Sequence, residues 1–457
     1  MRTNWPCLKK IAADVHGEVE KEIGRIVDHY VKERAADGSF DLESFEMSIR
    51  SGMHVIGANM LETLLNADGG GYRGVTIPRD EGHTAQFVDY RSKKLHTVLG
   101  EVSVKRAYYQ DKECHCGFCP KDEALDIVAT HYSPGVRRLI SKVGAMRPFD
   151  LGHNDLYELA NIRVNAKEVE RVSEMVGDQV EAFHGGQAEA ALSAKVVPIK
   201  AVPRLYVSMD GTGVPVVKRE TTDRRGKDGG LAKTREAKLG CIFTQTSTDK
   251  EGRPIRDEQS TSYIGAIETA DEFASRLYKE AKRRGIDRAA EVCVIGDGAL
   301  WIWNIADEQF HGACQIVDLY HAREHYWSVA RACFKNKEEQ NRWAEERRLE
   351  LNDGNVERVI KAIAGLSALP GYDREQCERE IGYFEKNKER MRYADFRKRG
   401  LFVGSGVMEA GCRTVVGQRL KQSGMHWSVS GANNIIALRC CLLSNRWEDF
   451  WEYRAAA

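Results

Sequence analysis

Three acidic side chains, Asp210, Asp297 and Glu409, stand in the order Asp, Asp, Glu, each in a local context that would aim a carboxylate at a shared divalent cation. Carboxylates are the hard oxygen donors that Mg²⁺ prefers. Two such ions about 4 Å apart can set a nucleophile in line with a phosphodiester and stabilise the charge that develops there. The chemistry this trio could support is therefore phosphoryl transfer with two Mg²⁺ ions, for which Mn²⁺ can substitute. Asp210 would bridge both ions, Asp297 would hold one, and Glu409 would hold the other while orienting the attacking water or 3′ hydroxyl.

Each position carries a structural signal of its own. Asp210 ends the apolar run Leu205-Tyr206-Val207-Ser208-Met209 and precedes Gly211-Thr212-Gly213, which reads as a strand with room for a ligand beside it. Asp297 follows Val292-Cys293-Val294-Ile295 and is flanked by Gly296 and Gly298. Glu409 follows Gly404-Ser405-Gly406, where Ser405 can cap a helix and Glu409 falls in the first turn. A lone aspartate is most often a cap, a turn or a surface charge; the ordered set is what carries information.

Positioning these groups demands a sheet. From Pro203 the pattern predicts strands near 204–209, 238–247, 261–267, 291–296 and 313–318, with helices near 270–284 and 300–309. Three strands, a helix, a strand, a helix and a strand is the order of a ribonuclease H-like α/β core with a mixed sheet. Residues 326–400 interrupt it with charged helices, including the apolar face Val356, Val359, Ile360 and Ile363, and are expected to form an all-helical insertion.

Upstream, residues 8–67 read as two long helices separated at Gly38-Ser39, with Val19, Ile23, Ile26 and Tyr30 on one face and Ile49, Met53, Ile56 and Met60 on another. Such a pair could dimerise or form an ordinary helical subdomain. Lys94 to Tyr109 reads as a β-hairpin turning at Gly100. It leads into Cys114, Cys116 and Cys119, whose spacing could hold a structural Zn²⁺ if a distant ligand such as His131 joins them. Helical pieces over 134–180, with Asn165 and Glu168 spaced as a capping box, could form a helix-turn-helix. The outward residues Glu168, Glu170 and Glu174 are poor for lying along phosphates.

The expected organisation is a mainly helical N-terminal region at 1–90 and a β-hairpin, cysteine-cluster and DNA-binding region at 91–200. A catalytic core follows at 201–325 and 401–446, with the helical insertion at 326–400 and a tail at 447–457.

At 457 residues, 42% hydrophobic and 30% charged, the chain reads as a soluble multidomain protein. It lacks both a membrane-length apolar stretch and the apolar segment of a secretory signal. Its 12 cysteines are scattered through apolar runs, as reduced thiols in a cytoplasmic protein would be. Basic and acidic residues balance, 68 against 68, so overall charge offers no case for nucleic-acid binding. Local patches must supply it. The stretch after Glu409 is basic, with Arg413, Arg419, Lys421, Arg439 and Arg446 set against almost no acid, and His426 and Trp427 could stack on a base. The segment from Lys218 to Lys238 reads as a mobile basic hairpin loop that could clamp DNA.

The segments Asp210-Gly211-Thr212-Gly213, Gly296-Asp297-Gly298-Ala299, Asp318-Leu319-Tyr320-His321, Gly406-Val407-Met408-Glu409 and Gly424-Met425-His426-Trp427-Ser428, with Leu438-Arg439 and the Trp447 to Trp451 region, closely resemble the DDE transposases of bacterial insertion sequences. The similarity is to the Kra-type group related to the Mutator-like families and spans roughly residues 90 to 452. It implies a bacterial, nucleoid-associated enzyme that binds double-stranded DNA at its element's terminal repeats as a homodimer or larger assembly, cleaves there, and joins the exposed 3′ hydroxyl to target DNA. It also implies an acidic triad at Asp210, Asp297 and Glu409, a helical insertion before the glutamate, and an acid-then-His pair matched here by Asp318 and His321. Asp318 is the rival to Asp297 as second metal ligand, and His321 could serve the scissile strand or simply anchor the insertion. Two other functions stay open: a ribonuclease H-like nuclease that cuts without joining, and a transposase-derived DNA-binding protein without catalysis.

Overall fold

The computed structural model describes residues 8–37, 41–79, 83–193, 202–226, 229–369 and 371–456, so the Gly38-Ser39 break lies outside the described residues. The chain divides into two compact units, Met1–Gly144 with Pro148–Val172, and Ala145–Arg147 with Ser173–Ala457. The division falls inside a helix.

The first unit opens with α1 (Leu8–Asp37) and α2 (Leu42–Asn66), the latter capped by Asp41, whose side chain accepts from the Glu43 amide. The two helices meet at Tyr30 and Phe45, ring centroids 4.6 Å apart. Much of their apolar surface stays open: Ile23, Val27, Val31, Met53 and Met60 are all exposed. A four-stranded antiparallel sheet follows, from β1 (Thr76–Pro78), β2 (Thr84–Thr97), β3 (Gly100–Asp111) and β4 (Gly117–Phe118), in sequential order. The expected hairpin is present but longer, and its turn lies at Val98-Leu99, with Gly100 beginning the return strand. A bulge between Phe87 and Asp89 shifts the register. Leu95, Val102 and Val104 form one buried cluster with Ile127, and Ala85, Ala107 and Tyr109 form another. Val104 and Ala107 are three apart on an unbroken stretch of β3, so they point to opposite faces of the sheet, and Ala107 keeps company with Tyr109 rather than with Val104.

Next come α3 (Pro120–Ala124), α4 (Pro134–Met146), α5 (Phe149–Ala160) and α6 (Ala166–Ser193). Pro148 and Asn161, the latter left-handed at φ 53°, bound α5. Asn165 accepts from the Glu168 amide at 2.9 Å at the start of α6, as the capping pattern predicts. On that helix Val169 and Val172 are buried, while Lys167 pairs with Glu170 and Arg171 with Glu168. These outward cations are thus neutralised by their own neighbours.

The second unit is built on a five-stranded sheet. Its elements run β5 (Val202–Pro215), β6 (Thr234–Gln245), the short β7 (Ser247–Thr248) and β8 (Pro254–Ile255), β9 (Ser262–Ala266), α7 (Ala270–Arg283), β10 (Ala289–Gly296), α8 (Leu300–Gln309) and β11 (Cys314–Val317). Spatial order is β11-β10-β5-β6-β9, with β5, β10 and β11 parallel and β6 antiparallel to both neighbours. Leu205, Tyr206 and Val207 in succession are fully buried, as expected of a strand covered on both faces. Thr269 and Glu272 close a capping box on α7, which lays Phe273, Ala274, Leu277 and Ala281 into the core. All five expected strands and both helices lie close to their predicted spans.

A helical block follows: α9 (Leu319–Cys333), α10 (Lys337–Asn352), α11 (Val356–Ser367), α12 (Arg374–Asn387) and α13 (Tyr393–Lys398). Val356, Val359 and Ile363 are its buried face. The chain then returns to the sheet with α14 (Gly406–Gly411), a π-helical turn at Cys412–Gly417, α15 (Gln418–Leu420), α16 (Val429–Leu443) and α17 (Trp447–Ala456). The expected tail after residue 446 is instead a packed helix: Trp447, Phe450 and Trp451 are buried, and Phe450 sits 5.7 Å from Phe183. Among the described residues no helix is long and apolar enough to cross a membrane.

Candidate functional site

The carboxyl ends of parallel strands are where open α/β sheets tend to bind ligands, and the acidic residues gather at this end. β10 pairs with β5 through Val294↔Val207 and Ile295↔Ser208, a register that, carried two residues further, sets Asp297 opposite Asp210. Adjacent strands lie about 4.8 Å apart and alternate residues share a face, so the two carboxylates emerge side by side. Burial pushes the Asp210 carboxyl above the ordinary carboxylate range, and the neighbouring Asp297 charge adds to this. Hydrogen bonds from Cys412 and the Gly211 amide oppose the shift, as does the nearby His321. Asp297 uses one oxygen to accept from the Ala299 amide at 2.8 Å.

Glu409 is exposed and rides on α14, which packs against β5 and β6. Three residues on, and so on the same helical face, Cys412 donates its thiol to Asp210 Oδ2 at 3.3 Å. Burial, reinforced by the Asp210 charge, pushes that thiol well up, so it stays a donor. Gly411 permits this close seat: a Cβ there would stand 2.6 Å from the Tyr263 ring. The π-helical turn starts at Cys412 itself, and such turns recur at functional sites because they re-aim side chains. Two carbonyls of this turn are met by the buried guanidinium of Arg439, which donates to Val415 O at 2.7 Å and to Thr414 O, and also to Ala145 O at 2.6 Å.

Asp318 is differently employed. One oxygen caps α9 by accepting from the His321 amide at 2.6 Å, and the other accepts from the Ser405 amide. Leu319 N also donates to Val403 O at 2.9 Å. Asp318 thus ties the end of β11 to the loop that launches the Glu409 helix, and both its oxygens have backbone partners. His321 faces Asp210 electrostatically and lies 5.0 Å from the His325 ring.

The helical block contributes a buttress that sequence reasoning missed. Tyr383 of α12 donates its hydroxyl to the Asp297 carbonyl at 2.9 Å and stacks on His325 at 3.5 Å between centroids. His325 Nδ1 lies 2.5 Å from Glu380 Oε2. Burial opposes ionisation of Glu380, yet His325 and Ser328 hold its carboxyl below the usual range. Gly298, at φ 105°, is required here: a Cβ would lie 2.6 Å from the Tyr383 ring. The flanking glycine was the one sequence signal of this contact.

The cations expected to contact DNA split into two groups. Arg413, Lys421 and His426 are exposed, and Lys421 Nζ donates to Thr212, two residues past Asp210 on β5. Arg419 is instead fully buried, 5.0 Å from the Trp427 ring, and burial brings its pKa down to about 10. Trp427 is buried too, donating Nε1–H to Leu420 O at 3.1 Å and its backbone N–H to Pro215 O at 3.1 Å, while its carbonyl accepts from Val217 N at 2.9 Å. Arg439 and Arg446 are likewise buried, Arg446 over the Phe183 ring at 5.1 Å. These four side chains are core, a correction to the expected basic surface. For Arg439 the reason is its helix: on α16 every residue from Ile435 to Cys441 is buried, so its guanidinium cannot reach water. On the β5–β6 connection Lys218, Arg219, Arg224, Arg225 and Lys233 are exposed, whereas Lys238 is buried and donates to Glu268 O.

In the first unit, the expected grouping of Cys114, Cys116, Cys119 and His131 does not form. Cys119 is buried, with Arg106 and Asp122 the charged groups nearest in effect, and His131 Nδ1 turns to Lys94 O at 3.3 Å. Cys114 lies instead with His83 and Asp111, the one set of three His, Cys, Asp or Glu ligand atoms within 4.8 Å of one another among the described residues. Asp210, Asp297 and Glu409 are more openly spaced than that.

The profile of one protein family, described as an uncharacterised protein family (UPF0236), matches residues 35–445. No curated protein matches the chain. Among solved structures, a Drosophila P element transposase strand transfer complex aligns at 11% identity and a TM-score of 0.23, covering 69% of this chain and 79% of that one.

Proposed function

The chain belongs to the UPF0236 family, and from that premise we propose that it is a transposase: a DNA strand-cleaving and strand-joining enzyme with a ribonuclease H-like core and an Asp210, Asp297, Glu409 centre. The observation that carries the reading is the strand register that sets Asp297 beside Asp210, with Cys412 seating the Glu409 helix on the same carboxylate. The strand order, with the first strand central, the second antiparallel and the fourth and fifth parallel to the first, supports the ribonuclease H-like assignment. The elaborated helical block between the last strand and Glu409 fits a transposase better than a compact nuclease.

The donor set suits Mg²⁺ or Mn²⁺. All three groups offer hard oxygens, and Asp210, half-buried with a thiol and its own neighbour's amide as hydrogen-bond partners, would gain from added positive charge. Divalent cations bound there would offset charge on the phosphate and acidify the attacking hydroxyl. The protein's own residues do the rest. Asp297 is held by Tyr383 and the Ala299 amide, so its free oxygen has one direction to point. Asp318, with both oxygens on backbone amides, acts through the Glu409 loop rather than as a ligand. Lys421, at Thr212 on β5, and the exposed Arg413 and His426 would meet the phosphate backbone, with the exposed Lys218, Arg219, Arg224, Arg225 and Lys233 extending the basic track.

Bringing two DNA ends together requires at least two protomers, and the exposed apolar face of the α1–α2 pair is where we place self-association. The deciding assay is strand cleavage and joining on the DNA that brackets this reading frame, with Mg²⁺ or Mn²⁺. Metal-dependent nicks at inverted repeats, followed by 3′ joining, are expected. Cleavage without joining would reassign the chain as a nuclease, and binding without metal-dependent cleavage would leave it a DNA-binding protein.

A further inference from the structure

The end of the four-stranded sheet in the first unit carries a second constellation, of different chemistry. His83 lies just before β2, Asp111 closes β3, and the turn from Asp111 to Gly117 bears Cys114 and Cys116. We propose that His83, Asp111, Cys114 and Cys116 form a structural zinc site.

Four features support it. The His83 Nδ1 to Asp111 Oδ2 separation is 3.4 Å. With metal–ligand bonds of 2.0–2.2 Å, a tetrahedron has an edge of about 3.4 Å, so the pair already stands as two corners would. The other Asp111 oxygen accepts from the Glu113 and Cys114 amides at 2.8 and 3.2 Å, fixing the carboxylate and leaving Oδ2 to the site. The other imidazole nitrogen, His83 Nε2, lies 3.3 Å from Glu113 Oε2. A ligating histidine commonly directs its second nitrogen to a carboxylate in this way. Finally, the cysteine turn is constrained: His115 between the two cysteines is left-handed at φ 56°, and Asp111 N closes the turn on Cys116 O at 3.0 Å. A non-glycine residue there is uncommon and tends to mark a functional turn.

Cys116 is exposed and its thiol donates to the Cys114 carbonyl at 3.6 Å, which sets it beside Cys114 as the fourth ligand of the proposed site. Mixed thiolate, imidazole and carboxylate donors in a four-coordinate set favour Zn²⁺ over the hard cations suited to Asp210, Asp297 and Glu409. The site would staple β2, β3 and β4 where β4 is only two residues long and adds little pairing of its own.

The test uses the full chain, stripped of metal by a chelator under reducing conditions. Titration with Co²⁺ should develop thiolate-to-cobalt absorption in the near ultraviolet and tetrahedral bands in the visible that saturate at one Co²⁺ per chain and are displaced by Zn²⁺. Cys114→Ser and Cys116→Ser should lose most of the thiolate absorption, and His83→Ala should weaken Zn²⁺ binding by at least about tenfold. Cys119→Ser should retain both. The wild-type spectrum is informative even if a variant misfolds: absence of a thiolate band on Co²⁺ addition would overturn the proposal. So would a band that survives the double Cys114→Ser, Cys116→Ser change, or one abolished by Cys119→Ser in a folded protein.

Discussion

Asp210 and Asp297 owe their positions to a hydrogen-bonded strand register, whereas Glu409 rides on a six-residue helix that is held in place by side chains from elsewhere. At the sheet end the pairing of β5 with β10 brings Asp210 and Asp297 to neighbouring strands, and Tyr383 and the Ala299 amide then hold Asp297 just past the end of β10. In the helical segment the work falls to Asp318 at the Ser405 amide, Cys412 at Asp210 and Arg439 beneath the π-helical turn. Under the proposed function, the carboxylates at the sheet end would act as donors toward a ligand. The charged groups after Glu409 divide into exposed groups that can meet DNA and buried ones that keep the helices aligned.

This contrast can be broken most directly at the carboxylates. Asp210→Ala, Asp297→Ala and Glu409→Ala should each lower strand cleavage by at least roughly a thousandfold, the scale seen when a principal electrostatic group is removed. DNA binding in a gel-shift assay should stay within a few-fold of wild type. Retained cleavage in Asp297→Ala would shift the assignment to Asp318.

The next largest effect separates the two classes of arginine. Arg439→Ala should cost roughly 3–5 kcal/mol in denaturant unfolding, because Val415, Ala145 and Thr414 carbonyls lose their partner inside the core. Arg413→Ala should change stability by no more than about 0.5 kcal/mol. It should instead weaken DNA binding and lower the salt dependence of affinity by about one unit of slope. Equal behaviour of the two variants in both measurements would erase the division.

A smaller effect concerns Asp210 and pH. Its folded carboxyl is raised by burial, so the folded chain holds that proton more tightly than the unfolded chain. Stability without metal should fall as pH rises from the ordinary aspartate value through the raised one, and the full deficit persists above it. Asp210→Asn has no such charge. It should match wild type below that window and be more stable than wild type at neutral pH, while being inactive. Thermal melts with chelator across pH check the sign, and an Asn variant less stable at every pH would contradict it.

Tyr383→Phe is the mildest probe. Loss of the 2.9 Å bond to the Asp297 carbonyl should cost about 1 kcal/mol and slow cleavage several-fold, with DNA affinity unchanged.

Sequence and structure agree where regular backbone sets the position. Asp210 and Asp297 could be read from apolar runs ending in glycine, and the alternation of strands and helices gave nearly correct spans for the five-stranded sheet. Arg419, Trp427, Arg439 and Arg446 could not be read so, because composition alone does not say whether a basic residue lies on a helix that is buried all round. The Tyr383, His325 and Glu380 buttress was equally hidden, since its members come from α9 and α12 and meet only through packing. The cysteine spacing grouped Cys119, which lies apart, with Cys114. Its partners His83 and Asp111 arrive from neighbouring strands through pairing that no short motif encodes.

The central claim is that Asp210, Asp297 and Glu409 form one divalent-cation site. Mn²⁺ binding to the full chain, followed by loss of the free-ion electron paramagnetic resonance signal, tests it without any knowledge of the DNA substrate. Wild type should bind Mn²⁺, and Asp210→Asn, Asp297→Asn and Glu409→Gln should each weaken binding by tenfold or more. Binding unchanged in the Asp297 and Glu409 variants, or abolished equally by substituting an acidic residue remote from the sheet end such as Glu345, would contradict the account.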